Sequence, residues 1–551
     1  MGAGTELEST GGRVLAGALS GQSRRLELGT ALVACHQTGE ALVPVIIGVV
    51  IDRAVTSGGS HVLIFWLALL AADFAFLSCG YRFGARLAER AAEQAAHDLR
   101  TALTSRVLDP RGGTDTGYLS GELTNITTSD ARRVGAFVGA LPFGIAALTG
   151  ILVTAIALLR ISLPLGLLVL LGTAPMLWLA QLVGRPLQRR SEAEQEKAAQ
   201  ASGVAADLVV GLRVLKGLGA EPVAIARYRR TSQDSLHATL RAAQAGAWHD
   251  GALLAGNGLF LAAIALLGGR LAADGRISVG ELIAAVGLAQ FLLGPLSTCT
   301  WVNGELAQAR GSATRIATLL AAPPAVRPGT RPLAAPVRGE LRLRAITHGG
   351  LRGLDLDVAA GEFLGVAVPD ATAAATLLEL LGRTTDPVAG RLELDGVGFA
   401  DLDLDALRSA VLVEFHDSVL FEGTLGSTAD DVFNVAETLP LGLETELSER
   451  GRSLSGGQRQ RVALARALGV GAAVLVVHDP TTAVDTVTEA FVADQLRRIR
   501  AGRTTVVVTT SPTLLAVADR VVMVEDGAIV AEGGHAELAT TSPGYRAAVL
   551  A

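Results

Sequence analysis

Long apolar stretches dominate the first 300 residues of the chain. Six of them can cross a bilayer, since about 20 residues at 1.5 Å rise span its ~30 Å core. No cleavage-site pattern follows the first stretch, so we expect it to be retained. The pattern therefore predicts a membrane domain of six helices. The stretches cover, approximately, residues 31–51, 62–80, 134–159, 161–184, 251–269 and 282–302.

The loops between these stretches alternate between short and long. The long loops, residues 81–133 and 185–250, are rich in helix-forming Ala, Glu, Gln, Leu and Arg, so the helices should continue well past the bilayer on one side. Basic residues concentrate there: residues 185–250 contain 10 Lys and Arg. By the positive-inside tendency, we expect the long loops and both termini to be cytoplasmic. We also expect the chain to lie in the cytoplasmic membrane.

The pattern changes after the sixth apolar stretch. Residues 321–338 are rich in proline and lack a sustained period, which indicates a linker. From residue 339 short runs of Val and Leu alternate with helical segments, a pattern typical of buried strands in an α/β domain. We therefore divide the chain into an N-terminal segment (1–27), a membrane domain (28–320), the linker and an α/β domain (339–551).

The composition agrees with a membrane protein and excludes some partners. Hydrophobic residues make up 50% of the chain and charged residues 18%, whereas a soluble domain carries about 25% charged residues. The formal net charge of -6 offers no basic surface to nucleic acid, so membrane lipid is the expected bulk partner. The three cysteines show no metal-ligand spacing, and we expect no site built from protein metal ligands.

Motifs in the α/β domain point to a family. Residues 454–468 read LSGGQRQRVALARAL, followed by VLVVHDP at 474–480 and TTAVD at 481–485. These segments resemble the signature, the distal strand and the D-loop of the ATP-binding cassette, and the six apolar stretches resemble the membrane half of an ABC exporter. The resemblance implies a six-span α-helical membrane domain with long cytoplasmic helical extensions, followed by an α/β ATP-binding cassette that uses ATP and Mg²⁺.

The chemistry of the LSGGQ segment is understandable from its residues. Two adjacent glycines before a long helix let backbone N–H groups approach an anion, and the helix N-terminus adds partial positive charge. The simpler interpretation of a short SGG run is a serine helix cap, but the matching residues that follow favour the signature. The resemblance implies that the ATP of a partner subunit is contacted by Ser455, Gly456, Gly457, Gln458 and Asp485.

The phosphate loop that should bind this chain's own ATP is absent from the sequence. After Gly361 and Glu362 the expected G-x-x-x-x-G-K-S/T pattern is replaced by VPDATAAAT, residues 368–376. Ala374 stands at the lysine position and Ala375 at the position of the hydroxyl that would bind Mg²⁺. Side chains also replace the glycines of the loop, which tolerate positive φ far better than alanine does. The glycine positions hold Val368, Ala371 and Ala373.

The same loss recurs at the other positions that would serve the chain's own nucleotide. His478 matches the Mg²⁺-organising aspartate, Asp479 the catalytic glutamate, His416 the lid-loop glutamine and Thr510 the histidine after the last parallel strand. Because side chains alternate along a strand, we expect Asp479 to point away from the catalytic position. Residues 345–350 contain no tyrosine to match the aromatic residue that stacks on adenine in the family.

The positions at which the family's residues are replaced all serve the chain's own nucleotide. The positions at which they are retained face a partner's nucleotide in the family's head-to-tail dimer. The chain therefore resembles the degenerate half of a heterodimeric exporter, inactive by itself and completed by a half with an intact phosphate loop and catalytic glutamate. Two alternatives stay open. One is a regulatory or sensor membrane protein that does not transport, and the other is an inert homodimer.

Two carboxylates lie within the apolar stretches. Glu40 belongs to the first stretch and Asp73 to the second, where an ionised side chain costs about 2.5 to 3.5 kcal/mol at mid-bilayer on insertion scales. We expect both to face a cavity or a polar partner. Contact with substrate or protons and pairing between helices are both open interpretations.

Overall fold

The structure is a computed structural model, and it describes residues 2–57, 60–114, 118, 120–416, 419–428, 430–448 and 451–550. The chain divides into two compact units. The first comprises Met1–Leu103 and Ser120–Leu320, and the second comprises Thr104–Leu119 and Ala321–Ala551.

The described residues of the first unit form helices joined by short turns, with no strand among them. Helices α2, α3, α5, α6, α8 and α9 are long and apolar enough to cross a membrane, which confirms the predicted six-helix membrane domain. The helices are α1 (Gly2–Ser20), α2 (Ser23–Ser57), α3 (Ser60–Val107), α4 (Ser120–Asn125), α5 (Ala131–Ile161), α6 (Leu163–Val210), α7 (Leu212–Leu218), α8 (Glu221–Ala273) and α9 (Val279–Leu320).

Three of these helices are much longer than a bilayer is thick. Helices α3 and α6 have 48 residues each and α8 has 53. At 1.5 Å per residue they reach about 72 to 80 Å, more than twice the ~30 Å hydrocarbon core. The long loops of the sequence are thus continuations of the membrane helices, as predicted.

The ends of α2 and α9 are joined by close backbone packing and by one carboxylate. An ideal Cβ at Gly280 would lie only 2.0 Å from the carbonyl oxygen of Gly48, so the two backbones touch where neither residue has a side chain. Asp52 accepts a hydrogen bond from the N–H of Gly280 at 2.8 Å and another from the hydroxyl of Ser278. This contact pins the start of α9 to α2.

A buried ion pair stabilises the opposite end of α9. A π-helical turn, Ile126–Asp130, precedes α5 and places the Asp130 side chain in a site with 0% exposure. Its carboxylate accepts hydrogen bonds from Arg315 Nε at 2.7 Å, from Arg315 Nη2 at 2.6 Å and from Ser312 Oγ at 2.9 Å. The π turn and α9 are therefore locked together by one charge-assisted network.

The second unit contains a parallel sheet. Its order is β12-β11-β3-β10-β9-β6, in which β12 is an antiparallel edge and the other strands run parallel. A separate antiparallel sheet has the order β2-β1-β4-β5. The strands are β1 (Leu341–His348), β2 (Leu351–Val358), β3 (Phe363–Ala367), β4 (Ala389–Leu394), β5 (Val397–Gly398), β6 (Val411–Glu414), β7 (Gly423–Thr424), β8 (Glu446–Leu447), β9 (Val474–His478), β10 (Thr504–Val508), β11 (Arg520–Glu525) and β12 (Ala528–Gly533).

Helices cover the parallel sheet and complete the α/β domain that the sequence predicts. Among the described residues between 416 and 454 the longest helix has 4 residues. The helices are α10 (Ala371–Leu381), α11 (Leu404–Ala410), α12 (Leu425–Thr428), α13 (Gly456–Val470), α14 (Thr486–Ile499), α15 (Pro512–Ala516), α16 (His535–Thr541) and α17 (Pro543–Val549).

Alternation along β9 sorts its side chains into two cores. Val474 and Val476 belong to the core that contains α10, and Leu475 and Val477 belong to the core that contains α13 and α14. His478 ends the strand, where its ring contacts His416 and lines a small space beside α13.

The linker and part of the second loop pack on the α/β domain within the second unit. Arg408 Nη1 donates to the carbonyl of Pro110 at 2.6 Å, and the N–H of Ala325 donates to the carbonyl of Arg111 at 3.0 Å. Further along, the N–H of Gly329 donates to the carbonyl of Leu402 at 3.1 Å. The proline-rich segment thus has no helix or strand of its own and is packed on the α/β domain.

Candidate nucleotide site

The signature segment forms a capped helix start. Ser455 is the N-cap of the 15-residue helix α13, and its Oγ accepts a hydrogen bond from the N–H of Gln458 at 3.3 Å. In return, Gln458 Oε1 accepts a hydrogen bond from the N–H of Ser455 at 2.8 Å. This reciprocal pair is a capping box, and Ser455 lies exposed at the surface of the domain.

The glycines of the signature are required by close packing against the D-loop. An ideal Cβ at Gly457 would lie 2.7 Å from the carbonyl oxygen of Ala483 and 2.9 Å from Cγ1 of Val484. Gln460 strengthens the contact, since its Oε1 accepts a hydrogen bond from the N–H of Ala483 at 2.9 Å. The signature and the D-loop are therefore one packed element.

Asp485, at the end of the D-loop, caps α14. Its carboxylate accepts from the N–H of Val487 at 3.1 Å, from the N–H of Thr488 at 3.0 Å and from the Thr488 hydroxyl at 2.7 Å. The backbone and then the side-chain hydrogen bond of Thr488 lower the pKa of Asp485 from its usual value. The carboxylate is thus ionised at neutral pH and is engaged within its own chain.

The loop after β3 offers a carboxylate where a phosphate loop offers N–H groups. Asp370 is the N-cap of α10, and its Oδ1 accepts a hydrogen bond from the N–H of Thr372 at 2.9 Å. Ala373 and Ala374 are 1% and 3% exposed, and pack in the core with Leu377. The helix N-terminus that would attract a phosphate therefore already holds an anion of its own.

The other residues of this loop carry no charge toward the site. Val368 packs in the same core as Ala373, and the exposed Ala371 and Ala375 present only methyl groups. An ideal Cβ at Gly350 would lie 2.8 Å from the N atom of Ala373, so the turn between β1 and β2 lies against the first turn of α10. The turn between β1 and β2 therefore occupies the space beside the first turn of α10.

Two histidines meet where the Mg²⁺-organising aspartate and the lid-loop glutamine are expected. His416 Nδ1 lies 3.2 Å from His478 Nδ1, and the two rings are nearly perpendicular with centroids 4.9 Å apart. The space between this pair and Gln460, Ala463 and Leu464 of α13 is about 10 Å³, which is room for about one water molecule.

Of the last two positions, Asp479 lies beside this pair and Thr510 lies at the same edge of the sheet. Asp479 has a φ of 42°, and its Oδ2 lies 3.6 Å from His478 Nε2. The strand alternation from which we expected it to point elsewhere thus ends at His478, because Asp479 has already left the strand. Thr510 follows β10 by two residues, at the same edge of the sheet.

These residues do not fit Mg·ATP. A triphosphate needs cationic and N–H donors, and Mg²⁺ needs oxygen ligands in open positions. The segment from Val368 to Thr376 contains no lysine or arginine, its Asp370 would repel phosphate, and two imidazoles in mutual contact occupy the place of oxygen ligands. Over the part of the chain that the structure describes, no group of three His, Cys, Asp or Glu side chains is arranged to hold a metal ion.

The fold and these motifs define an ABC exporter architecture, with a transmembrane domain fused to an ATP-binding cassette. The chain matches the ABC transporter transmembrane region over residues 26–296 and the ABC transporter cassette over residues 351–482. The chain belongs to the ABC transporter family, whose cassettes bind ATP, typically with Mg²⁺.

Several relatives place it within that family. The multidrug efflux ATP-binding/permease protein of Mycobacterium tuberculosis is 32% identical over 560 residues, which is 97% of this chain and 46% of that protein. The ATP-dependent lipid A-core flippase of Thiobacillus denitrificans is 30% identical over 398 residues, or 67% of this chain and 69% of the flippase. A bacterial Atm1-family ABC exporter with ATP bound has the same fold, with a TM-score of 0.74, 23% identity and coverage of 95% and 97% of the two chains. The chain thus spans about half of the length of its mycobacterial relative.

Sequence reasoning missed two contacts, one in the loop after β3 and one at the end of β9. The cap by Asp370 could have been found from the sequence, since an aspartate directly before an Ala-rich helical run is an N-cap pattern. No sequence pattern indicates the contact between His416 and His478, because it depends on the pairing of β6 with β9. The sequence places these histidines 62 residues apart.

Proposed function

We propose that this chain is the degenerate subunit of a heterodimeric ABC exporter. ATP is hydrolysed at a single site, which is formed by the partner's phosphate loop together with this chain's Ser455, Gly456, Gly457 and Gln458. The transported solute is small or amphipathic. The partner is a homologous half with an intact phosphate loop and catalytic glutamate.

The observation that carries the proposal is the contrast between two surfaces of one cassette. The signature is capped, exposed at Ser455 and rigidly packed on the D-loop through Gly457. The chain's own site carries an anionic cap from Asp370 and a pair of imidazoles instead of phosphate and Mg²⁺ ligands. A chain built this way is able to complete another subunit's site but has no competent site of its own.

The length and the transport function of the relatives support the proposal. The mycobacterial multidrug efflux protein is about twice as long as this chain, which leaves room for a second half in the same polypeptide. The match to transporters across both domains favours transport over a purely regulatory role. We place the long helical extensions, the cassette and the termini in the cytoplasm and the spans in the cytoplasmic membrane, because basic residues concentrate in the long loops.

The residues have distinct roles in this proposal. Ser455 and Gly457 hold the terminal phosphate of the partner's nucleotide through the hydroxyl and backbone N–H groups at the start of α13. Asp485 fixes the D-loop by capping α14 and so positions the signature. The segment 444–451 resembles a loop that senses the membrane helices, but its Glu449 and Arg450 lie outside the described residues.

Co-expression with a candidate partner half tests the proposal. The purified chain alone should show no Mg·ATP hydrolysis above background, and the complex should hydrolyse ATP and retain one tightly held nucleotide. A complex whose partner lacks its catalytic glutamate is the control for contaminating ATPases. Brisk hydrolysis by the pure chain, or two competent sites in the complex, would contradict the proposal.

Substituting the chain's own site should have little effect on the complex. We expect His478→Asn and Ala375→Ser to change the ATPase rate of the complex by less than about twofold, because neither residue contacts a reacting nucleotide. Ala374 is unsuitable for this test, since it is 3% exposed and a larger side chain would overpack the core. The matched control is the corresponding aspartate of the partner, whose replacement by asparagine should abolish activity. A loss of about tenfold or more in the His478 variant would show that this site works.

A further inference from the structure

Four rings on four membrane helices lie in one row. The centroids of His36 on α2 and Tyr81 on α3 are 5.1 Å apart. Tyr81 lies 6.4 Å from Phe143 on α5, and Phe143 lies 6.3 Å from Trp301 on α9. These separations fall in the range of direct ring contacts. We call these four residues the aromatic row.

Each end of the aromatic row carries a carboxylate. Glu40 Oε2 lies 3.5 Å from His36 Nε2, and Glu305 Oε1 accepts a hydrogen bond from Trp301 Nε1 at 3.2 Å. His36 Nδ1 donates to the carbonyl of Leu77 at 2.8 Å, which fixes the ring so that Nε2 faces Glu40. Glu40 is 47% exposed and is therefore accessible beside the rings.

The aromatic row lies at one depth in the membrane domain. Counted at 1.5 Å per residue, its members are about 27 to 33 Å from the ends of their helices that are joined by short loops. That distance is close to the ~30 Å thickness of the hydrocarbon core, so the row lies near the face of the bilayer from which the long extensions emerge. A carboxylate at or inside this boundary is expected to face the bundle interior or water rather than lipid.

An interfacial belt of aromatic residues would look different. Belt residues anchor helices singly at the headgroup level. Here the rings contact each other across four helices, and the row ends in a carboxylate on both sides. Tyr81 and Trp301 are 50% and 48% exposed, and with the two carboxylates they form a surface that is apolar in its body and anionic at its ends.

The geometry points to a binding site for a monovalent organic cation that carries aromatic rings, held between the aromatic row and Glu40. Ring faces attract a cation that has lost part of its hydration, and the carboxylate supplies the opposite charge. Arg82 follows Tyr81 in the chain and lies about 100° further around α3, so it does not share the direction of the Tyr81 ring. This inference names the substrate class of the exporter and rests on the proposed function.

The test uses the full chain in nanodiscs of zwitterionic lipid, without ATP and without a partner. Tetraphenylphosphonium is the probe, and tetraphenylborate is its anionic counterpart of nearly equal shape. We expect saturable binding of the cation above that of empty nanodiscs and no competition by the anion. Glu40→Gln and Trp301→Leu should each weaken binding by about tenfold, whereas Trp301→Phe should retain most of the affinity.

Helix α8 provides matched controls at a similar depth. Asp250 is 84% exposed and lies 3.1 Å from His249, and the neighbouring Trp248 is 78% exposed. Asp250→Asn and Trp248→Leu remove the same chemical groups outside the aromatic row and should leave binding unchanged. The inference is overturned if these controls weaken binding as much as the row variants do, or if the anion binds equally well. Because no ATP is present, either result leaves the proposed division of ATPase sites standing.

Discussion

Ser455→Arg in this chain should lower the ATPase rate of the proposed heterodimer by about a hundredfold or more. Removing one preorganised donor to a developing anionic centre costs about 10²- to 10³-fold in rate, and the arginine side chain would also occupy the surface that receives the partner's phosphate. The rate is measured on the purified complex at saturating Mg·ATP. Equal yields and thermal midpoints of the two complexes would show that assembly is intact.

The control for this substitution is a second serine cap in the same cassette. Ser542 caps α17 by accepting from the N–H of Tyr545 at 3.3 Å, the same distance as in the cap of α13. Ser542→Arg removes a comparable cap, worth about 1 kcal/mol, and should leave turnover within about twofold. An unchanged rate in the Ser455 variant, or an equal loss in the Ser542 variant, would reject the role of the signature.

The membrane domain was predictable from the sequence because its signal is long and periodic. Each span needs only about 20 apolar residues, and the chain supplies six such stretches. The depth of the aromatic row was not predictable in the same way. His36, Tyr81, Phe143 and Trp301 come together only through the packing of four helices, and the sequence places them up to 265 positions apart.

In the cassette, local motifs were predictable and lateral contacts were not. The run Ser455-Gly-Gly-Gln458 already contains the S-x-x-Q pattern of a capping box, and the structure forms that box. Nothing in the sequence indicated that Gly457 packs on the carbonyl of Ala483, because that contact depends on where the D-loop returns. The expectation for Asp479 rested on strand alternation, which fails where the chain turns to a positive φ.

Glu40 and Asp73 illustrate the limit for single polar residues in spans. The sequence predicted that both are costly in lipid, and left open what they contact. The structure places Glu40 beside His36, whereas Oδ2 of Asp73 is shielded and has no hydrogen-bond partner among the described residues. An ideal Cβ at Gly39 would lie 3.1 Å from Asp73 Oδ1, so this carboxylate lies against the backbone of α2.

Arg315→Met should destabilise the membrane domain by about 2 kcal/mol or more. Removing one partner of a buried ion pair costs about 3 to 5 kcal/mol, because the other charge is left uncompensated. We expect a smaller loss of stability here because Arg315 is 46% exposed and because Arg133 Nη1 lies 3.9 Å from the Asp130 carboxylate and compensates part of its charge. The loss stays substantial because Asp130 itself is 0% exposed. The measurement is the unfolding midpoint of the detergent-solubilised chain, followed by a probe on α5 or α9.

A surface pair in the same unit provides the comparison. Arg100 Nη2 lies 3.8 Å from Glu93 Oε2 with 43% and 67% exposure, so Arg100→Met should cost less than about 1 kcal/mol. Adding Asp130→Leu to Arg315→Met removes the stranded carboxylate and should recover part of the lost stability. If the Arg100 and Arg315 variants lose equal stability, or if the double variant is less stable than Arg315→Met, the loss does not come from a buried unpaired charge. The π turn before α5 would then be held by packing around Ile126, which is 1% exposed.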